Sequence, residues 1–265
     1  MKSCGLHVFY LTTIFKFILS QLPSNIQSLE LEFASVAETY APERRLLVTT
    51  EDDEESLDKK KRILCIGDSI TLGYYGVPKH FHPYSYKLRK LLQQQFGDEV
   101  EVTSKGVGGE RVHKEMYARL QRELSVKRYD LVIILGGVND LVTLDCLHTI
   151  DLFEEIRALH EIARSQNIKT VAMTILEAHV LVKKIKFMDE RSFEAMRMLT
   201  NYKIRQMVDD MTSLCDTSLK FPFSSLPWDM QKKLWSTDKV HPTPEGYDIL
   251  GEIVFDCIKE DIYNL

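Results

Sequence analysis

From Ile63 to the last residue, the sequence predicts one α/β domain with a parallel sheet that is covered by helices on both faces. Short apolar runs alternate along this region with amphipathic segments, which is the order of βαβ units. The run "DLVIILGG" (Asp130–Gly137) is continuously apolar, as is typical of a central strand buried on both faces. Neither an internal repeat nor a break in composition divides residues 63–265, so one sheet with right-handed crossovers accounts for the region.

Each strand is predicted from a short apolar run, and each helix from apolar residues spaced three and four apart. The predicted strands are Ile63–Gly67, Val100–Gly106, Asp130–Gly137, Lys169–Leu176 and a weak one within Ser213–Lys220. The predicted helices are Tyr84–Phe96, Met116–Leu124, Ile150–Arg164, Arg191–Met211 and a final one. For the final helix, Thr243 is the expected N-cap, and Pro244 lies in the first turn, the position that proline prefers.

The composition is that of an ordinary soluble globular protein. The chain has 265 residues, of which 44% are hydrophobic and 28% are charged. Its formal net charge is −5, and the basic residues are scattered along the sequence. Because nucleic-acid binding needs a basic stripe or patch, we expect no nucleic-acid partner.

The five cysteines do not form a recognisable motif. They are Cys4, Cys65, Cys146, Cys215 and Cys257. Without a C-x-x-C spacing, the sequence suggests neither a zinc site nor a dithiol redox centre. Cys65 lies in the first predicted strand and Cys257 on the apolar stripe of the last helix, so both are interpreted as small core residues. The pattern does not predict a disulfide framework.

The first sixty residues differ from the rest. Lys2 precedes an apolar stretch, Val8–Leu19, that Lys16 interrupts. A secretory signal peptide or signal anchor is one interpretation, although no clean small-residue cleavage site follows, and an amphipathic leader is the other. This leader slightly favours the secretory pathway over the cytoplasm, and any membrane contact is expected only through it.

A charged linker follows the leader. "EDDEES" (Glu51–Ser56) and "DKKKR" (Asp58–Arg62) are blocks of like charge, which remain solvated and typically disordered. We therefore divide the chain into a leader and linker, residues 1–60, and a folded domain, residues 61–265.

Four short motifs are expected to meet at one edge of the sheet. They are "GDSIT" (Gly67–Thr71), "GVGGE" (Gly106–Glu110), "GGVND" (Gly136–Asp140) and "DKVHP" (Asp238–Pro242). The first three end predicted strands, and ligands of open parallel sheets bind at the carboxyl ends of the strands. Each motif also has an ordinary structural interpretation as a cap, a turn or a surface loop.

Together the motifs meet the requirements of nucleophilic catalysis. Ser69 needs a base, and His241 is the candidate, with Asp238 three residues earlier to orient the imidazole. A tetrahedral oxyanion needs donors. Asn139 offers a side-chain amide, while Gly109 and Ser69 offer backbone N–H groups.

This set resembles the SGNH hydrolases, also called the GDSL esterase/lipase family, over most of residues 63–265. Gly67–Gly73 is similar to the first block of the family, Gly108–Glu110 to the second and Gly137–Asp140 to the G-x-N-D block. "DKVHP" followed by "TPEGY" (Thr243–Tyr247) is similar to the last, D-x-x-H block. One departure is Ser104, which stands where many members carry an asparagine.

The resemblance implies a single flavodoxin-like, three-layer α/β/α domain with about five parallel strands. It also implies a serine esterase that acts on a small-molecule ester through an acyl-enzyme on Ser69, His241 and Asp238, with Ser69, Gly109 and Asn139 as the oxyanion hole. No cofactor or metal is expected, and the oligomeric state stays open. Alternatives are an acyltransferase on the same residues, a non-catalytic binding module and a nucleotide-binding domain, although the last lacks a P-loop lysine pattern.

The segment after the fourth strand, "EAHVLVKKIKFMDE" (Glu177–Glu190), is longer than the usual connection of about 2–6 residues. It combines apolar residues with three lysines. One interpretation is an apolar wall or flap for the acyl chain, and the other is an extension of the next helix into the core.

Overall fold

A computed structural model describes residues 60–76, 78–142, 149–179 and 190–265 of the protein. Within these ranges, strands and helices alternate along the chain. The strands are β1 Lys61–Gly67, β2 Tyr74–Tyr75, β3 His80–Phe81, β4 Val100–Gly106, β5 Leu131–Leu135, β6 Lys169–Met173 and β7 Thr212–Cys215. The α-helices are α1 Ser69–Leu72, α2 Ser85–Phe96, α3 Tyr117–Val126, α4 Val138–Leu141, α5 Thr149–Arg164, α6 Glu190–Gln206, α7 Thr217–Lys220, α8 Trp228–Leu234 and α9 Pro244–Tyr263.

The main sheet has five parallel strands in the order β4-β1-β5-β6-β7. This is the flavodoxin-like order, and it confirms the predicted fold class. The chain adds β4 on one side of β1 and β5 on the other. The carboxyl end of β1 is therefore the switch point at which such sheets bind their ligands.

The residues of β1 explain why the sheet is covered on both faces. Ile63 and Cys65 point to the side of α2 and α9, whereas Leu64 and Ile66 point to the side of α3 and α5. All four are fully buried. Because side chains alternate along a strand, a run that is apolar at every position must bury both faces, as the sequence predicts.

Two parts of the fold do not follow from hydrophobic periodicity. A two-stranded antiparallel hairpin, β2–β3, comes directly after α1, and the short helix α8 precedes the last block. Both are too short to show a period in the sequence. The helix predicted at Met116–Leu124 also begins earlier, as a π-helix over Val112–Met116 that continues into α3.

The cysteine interpretation is correct for Cys65 and wrong for Cys257. Cys65 is a buried free thiol, and burial raises its pKa to about 12. Cys257 instead forms a disulfide with Cys215, across a Cα–Cα distance of 5.4 Å. The bond joins the end of β7 to α9, two elements that pack together but lie far apart in the sequence. Their proximity is a property of the tertiary fold, which cysteine spacing alone does not reveal.

The predicted leader and linker, residues 1–60, lie outside the described residues except for Lys60, so this division stays a prediction. In the part of the chain that the structure describes, no helix combines the length and the apolar character needed to cross a membrane.

Candidate active site

Ser69 lies at a sharp turn between β1 and α1. The strand ends at Gly67, and Asp68 is the N-cap of the helix, because its Oδ1 accepts a hydrogen bond from the Ile70 N–H at 2.9 Å. Ser69 is the first residue of α1 and is only 9% exposed. The turn therefore fixes the hydroxyl at the carboxyl edge of the sheet, beside the switch point.

The hydroxyl of Ser69 is hydrogen-bonded to a residue from the other end of the domain. Its Oγ lies 2.8 Å from His241 Nε2. His241 Nδ1 in turn lies 2.7 Å from Asp238 Oδ2. The structure thus brings together the three residues that the sequence assigned to nucleophile, base and orienting carboxylate.

Asp238 is held by three hydrogen bonds. Besides the imidazole, its Oδ1 accepts the backbone N–H groups of Val240 and His241, each at 3.0 Å. Burial raises the pKa of this carboxyl, but the hydrogen bonds from His241 and from the two backbone groups outweigh burial, and the net pKa lies below its ordinary value. The carboxylate is therefore charged at neutral pH and lies against His241 Nδ1.

The loop that carries both residues has a constrained backbone. Lys239 adopts a left-handed conformation, with φ of 54°. Its N–H donates to the Ser236 carbonyl at 2.9 Å, and its own carbonyl accepts the His179 N–H at 3.2 Å. Thr243 then caps α9 by accepting the Gly246 N–H at 3.2 Å, as predicted. The hydrogen bonds of Lys239 and Thr243 therefore hold the loop on both sides of His241.

Asn139 lies on the short helix α4 after β5, and Gly109 lies on the turn after β4; β5 and β4 are the two strands that flank β1. Asn139 Nδ2 donates to the Glu110 carbonyl at 2.9 Å, so the second and third motifs are in direct contact. Gly109 has φ of +77°, a conformation that L-residues rarely adopt, whereas Gly108 has no such φ. The backbone therefore requires glycine at position 109.

The sequence comparison agrees with this geometry. The model of the GDSL-like Lipase/Acylhydrolase family matches residues 65–249, which include all four motifs. The chain belongs to this family. Among curated proteins, none matches it.

Several solved structures share the fold of this chain. A lipase/acylhydrolase from Enterococcus faecalis is similar with a TM-score of 0.59 and 19% identity, over 76% of this chain and 96% of that one. A catalytic mutant of an acetylxylan esterase from Geobacillus stearothermophilus is similar with a TM-score of 0.58 and 20% identity, over 75% of this chain and 94% of that one.

The ion pair between Arg119 and Glu110, which was not predicted from the sequence, supports the candidate site. Arg119 Nε donates to Glu110 Oε1 at 2.7 Å. The same guanidinium donates to the carbonyls of Lys105 at 2.8 Å and Gly67 at 3.1 Å. Arg119 therefore ties the ends of β4 and β1 to the Glu110 turn. Its position on the amphipathic helix α3 gave no signal of this role.

Ser104, the departure from the family pattern, also has a supporting contact. Its Oγ donates to the Thr71 carbonyl at 3.4 Å, which links β4 to α1. The serine at this position therefore supports the junction between β4 and α1.

Two further carboxyl groups are buried around the site. Asp140 Oδ2 accepts the Val112 N–H at 3.0 Å, and burial raises its pKa despite this bond and another from the His113 backbone. Burial also raises the pKa of Asp68 to about 7, against the hydrogen bond from Ile70 and the attraction of His241. The negative charge near Ser69 thus depends on pH in the neutral range.

Tyr74, the aromatic residue next to His241, was also not predicted from the sequence. The ring of Tyr74, on β2, meets the imidazole edge to face, with 4.7 Å between the ring centroids. Tyr74 follows Gly73 directly, and a residue so close to the first motif could have been suspected from its position alone.

The described residues include no cluster of His, Cys, Asp and Glu that could hold a metal ion. A groove of about 600 Å³ opens at the opposite edge of the sheet, near Asp130 and Lys169, at the amino ends of β5 and β6. None of the described residues that line it is a histidine or a cysteine.

The predicted acyl wall falls mainly on residues 180–189, which lie outside the described residues, so it stays a prediction.

Proposed function

We propose that this protein is a serine esterase that hydrolyses carboxylic esters through an acyl-enzyme on Ser69. The observation that carries the proposal is the pair of hydrogen bonds that joins Ser69 Oγ to His241 Nε2 at 2.8 Å and His241 Nδ1 to Asp238 Oδ2 at 2.7 Å. A serine hydroxyl is a weak nucleophile until a base takes its proton, and here an imidazole is within reach.

In the first half of the reaction, Ser69 Oγ attacks the ester carbonyl carbon while its proton moves to His241 Nε2. Asp238 keeps the proton on Nδ1 and stabilises the imidazolium that forms. The tetrahedral intermediate then collapses. The bond to the alcohol oxygen breaks, and the imidazolium gives its proton to that oxygen. In the second half, water attacks the acyl carbon while one of its protons moves to His241 Nε2. The bond between the acyl carbon and Ser69 Oγ then breaks, the imidazolium returns its proton to Oγ, and the carboxylic acid leaves.

The negative charge of the tetrahedral intermediate is assigned to the edge formed by the β4 and β5 turns. Asn139 Nδ2 and the backbone N–H groups of Gly109 and Ser69 are the proposed donors. The contact between Asn139 and the Glu110 carbonyl supports this assignment, because it fixes the amide beside the Gly109 turn. Each such donor is typically worth about 2.7–4 kcal/mol of transition-state stabilisation.

The family description supports the acylhydrolase class, and the similarity to an acetylxylan esterase supports carboxylic esters as the substrate class. We therefore take small acetate esters as the first substrates to test. No cofactor has a role in the proposed steps, because the serine, imidazole and amide groups supply each proton and charge that the reaction needs.

The test combines covalent labelling with turnover. Purified protein is treated with a fluorophosphonate probe, which reacts with activated serines, and is assayed with p-nitrophenyl acetate. We expect Ser69→Ala to lose both signals. Ser125→Ala is the matched control, because Ser125 Oγ only donates to the Arg122 carbonyl on α3. Hydrolysis by the Ser69→Ala variant at the wild-type rate would refute the mechanism.

A further inference from the structure

The hairpin β2–β3 presents two aromatic rings on one face. Tyr74 pairs with Phe81 and Tyr75 with His80 in an antiparallel register. Because successive side chains point to opposite faces of a strand, Tyr74 and Phe81 share one face, and Tyr75 and His80 share the other. The Tyr74 and Phe81 rings meet edge to face, with 6.3 Å between their centroids. This pair is called the aromatic corner below.

The aromatic corner lies directly beside the proposed base. The Tyr74 ring contacts the His241 imidazole, with 4.7 Å between their centroids. Phe81 is next to Tyr74 and is 51% exposed, so its ring is accessible to a molecule that enters from solvent. The opposite face of the hairpin carries Tyr75 and His80. Tyr75 packs against the hydrophobic core, and His80 is exposed.

The position of the hairpin is fixed by two hydrogen bonds at its base. The Tyr247 hydroxyl donates to the Tyr74 carbonyl at 2.9 Å, and the His82 N–H donates to the Gly73 carbonyl at 2.7 Å. Tyr247 is fully buried in the first turns of α9, the helix that follows the His241 loop. The aromatic corner and His241 therefore share one support, which preserves their relative position.

The chemistry of ester cleavage decides which half of the substrate meets the aromatic corner. The imidazolium gives its proton to the departing alcohol oxygen, so that oxygen must come close to His241 Nε2. The carbonyl oxygen points instead to the turns of Gly109 and Asn139. A ring that contacts His241 is thus next to the alcohol half and away from the oxyanion donors.

We propose that Tyr74 and Phe81 bind the alcohol half of the ester and select alcohols that carry a ring. This inference rests on the proposed esterase function. Two aromatic rings at an angle offer one face and one edge to a ring that carries C–H groups, and pairs of aromatic rings gain more than their contact area alone provides. An aryl alcohol and a pyranose both present such a ring, whereas a short alkyl alcohol does not.

The test measures a ratio of specificities. The substrates are benzyl acetate, an O-acetylated methyl pyranoside and ethyl acetate, and the quantity is kcat/KM for each ring substrate divided by that for ethyl acetate. We expect Phe81→Ala to lower at least one ratio by about three- to tenfold, as the loss of an aromatic pair predicts. Loss for benzyl acetate alone identifies aryl alcohols, and loss for the pyranoside alone identifies sugars.

Two further variants separate binding from folding. His80→Ala changes the same hairpin on its other face, and we expect it to retain both ratios. Phe81→Tyr keeps the ring, and we expect it to retain them as well. Unchanged ratios in Phe81→Ala would overturn the inference while leaving the esterase proposal intact. By contrast, wild-type protein that neither hydrolyses any of the three esters nor reacts with the fluorophosphonate would reject the esterase proposal itself.

Discussion

The guanidinium of Arg119 donates a hydrogen bond to the carbonyl of Gly67 at 3.1 Å, two residues before Ser69. The same group binds the Lys105 carbonyl and the Glu110 carboxylate. One buried cation therefore connects the ends of β1 and β4 with the turn that Asn139 contacts. The position of Ser69 relative to the proposed oxyanion donors depends on this connection.

We expect Arg119→Met to destabilise the fold by roughly 3–5 kcal/mol, because it leaves the Glu110 carboxylate buried without its partner. The side chains of the pair are only 13% and 6% exposed, so solvent cannot replace the lost contact. Urea denaturation measures the change. The double variant with Glu110→Gln should recover part of the loss. Strictly additive effects of the two substitutions would show that the pair is not coupled.

Gly109 and Gly108 offer a matched pair for the oxyanion turn. With φ of +77° at Gly109, alanine there is strained by about 1–2 kcal/mol even though a Cβ would meet no atom within 4 Å. We expect Gly109→Ala to shift the backbone N–H and lower kcat at least about tenfold. At Gly108, a Cβ would meet only Leu72 Cδ2 at 3.8 Å, so Gly108→Ala should retain activity. Equal effects of the two substitutions on kcat would contradict the assignment of Gly109.

Asp238→Asn tests the orientation of the histidine. The amide oxygen of asparagine can still accept the Val240 and His241 N–H groups, so the loop should keep its shape. The amide nitrogen, however, would face Nδ1 and favour the tautomer that protonates Nε2. We expect kcat to fall by roughly 10²- to 10⁴-fold with little change in unfolding free energy. Asp229→Asn, on α8, is the control. A loss below about threefold would exclude Asp238 from the mechanism.

The sheet and the candidate site residues could be predicted from the sequence because both leave local patterns. The apolar run over β5 favours a strand buried on both faces. Ser69, Asn139 and His241 each stand in a short motif beside a glycine, a cap or a helix start. Parallel strands place such motifs at one edge, so the meeting of distant residues followed from the fold class.

The ion pair of Arg119, the β2–β3 hairpin and the disulfide could not be predicted, because tertiary contacts leave no local pattern in the sequence. Arg119 lies on the amphipathic helix α3, and its partners lie at the ends of β1 and β4 and on the Glu110 turn. The hairpin strands have two residues each, too few to show alternation. The partnership of Cys215 and Cys257 requires knowledge that α9 packs beside β7.

The disulfide between Cys215 and Cys257 is expected to stabilise the fold. It closes a loop of 42 residues, and the chain-entropy model assigns about 4 kcal/mol of stability to a loop of this length. We expect dithiothreitol to lower the melting temperature of the wild-type protein. The double variant Cys215→Ala with Cys257→Ala should start at a lower melting temperature and not respond to the reductant. A wild-type melting temperature that the reductant does not change would contradict a stabilising bond.

Asp68, next to Ser69, should make the stability of the fold depend on pH. Burial raises the pKa of Asp68 to about 7, from 3.8 for an unperturbed carboxyl. The folded protein thus keeps a proton that the unfolded chain loses, so this group contributes stability that is complete below about pH 4 and is lost as the pH rises to about 7.

Asparagine at this position can still cap α1, because its amide oxygen can accept the Ile70 N–H, but it has no charge to bury. We therefore expect Asp68→Asn to become progressively more stable relative to the wild type from about pH 4 to about pH 7. Each unit of difference between the folded and unfolded pKa corresponds to about 1.4 kcal/mol. Thermal unfolding across this range measures the change, and Asp98→Asn, at an exposed carboxyl, should show no such trend. A constant difference in melting temperature between Asp68→Asn and the wild type would mean that Asp68 loses its proton at the same pH in both states.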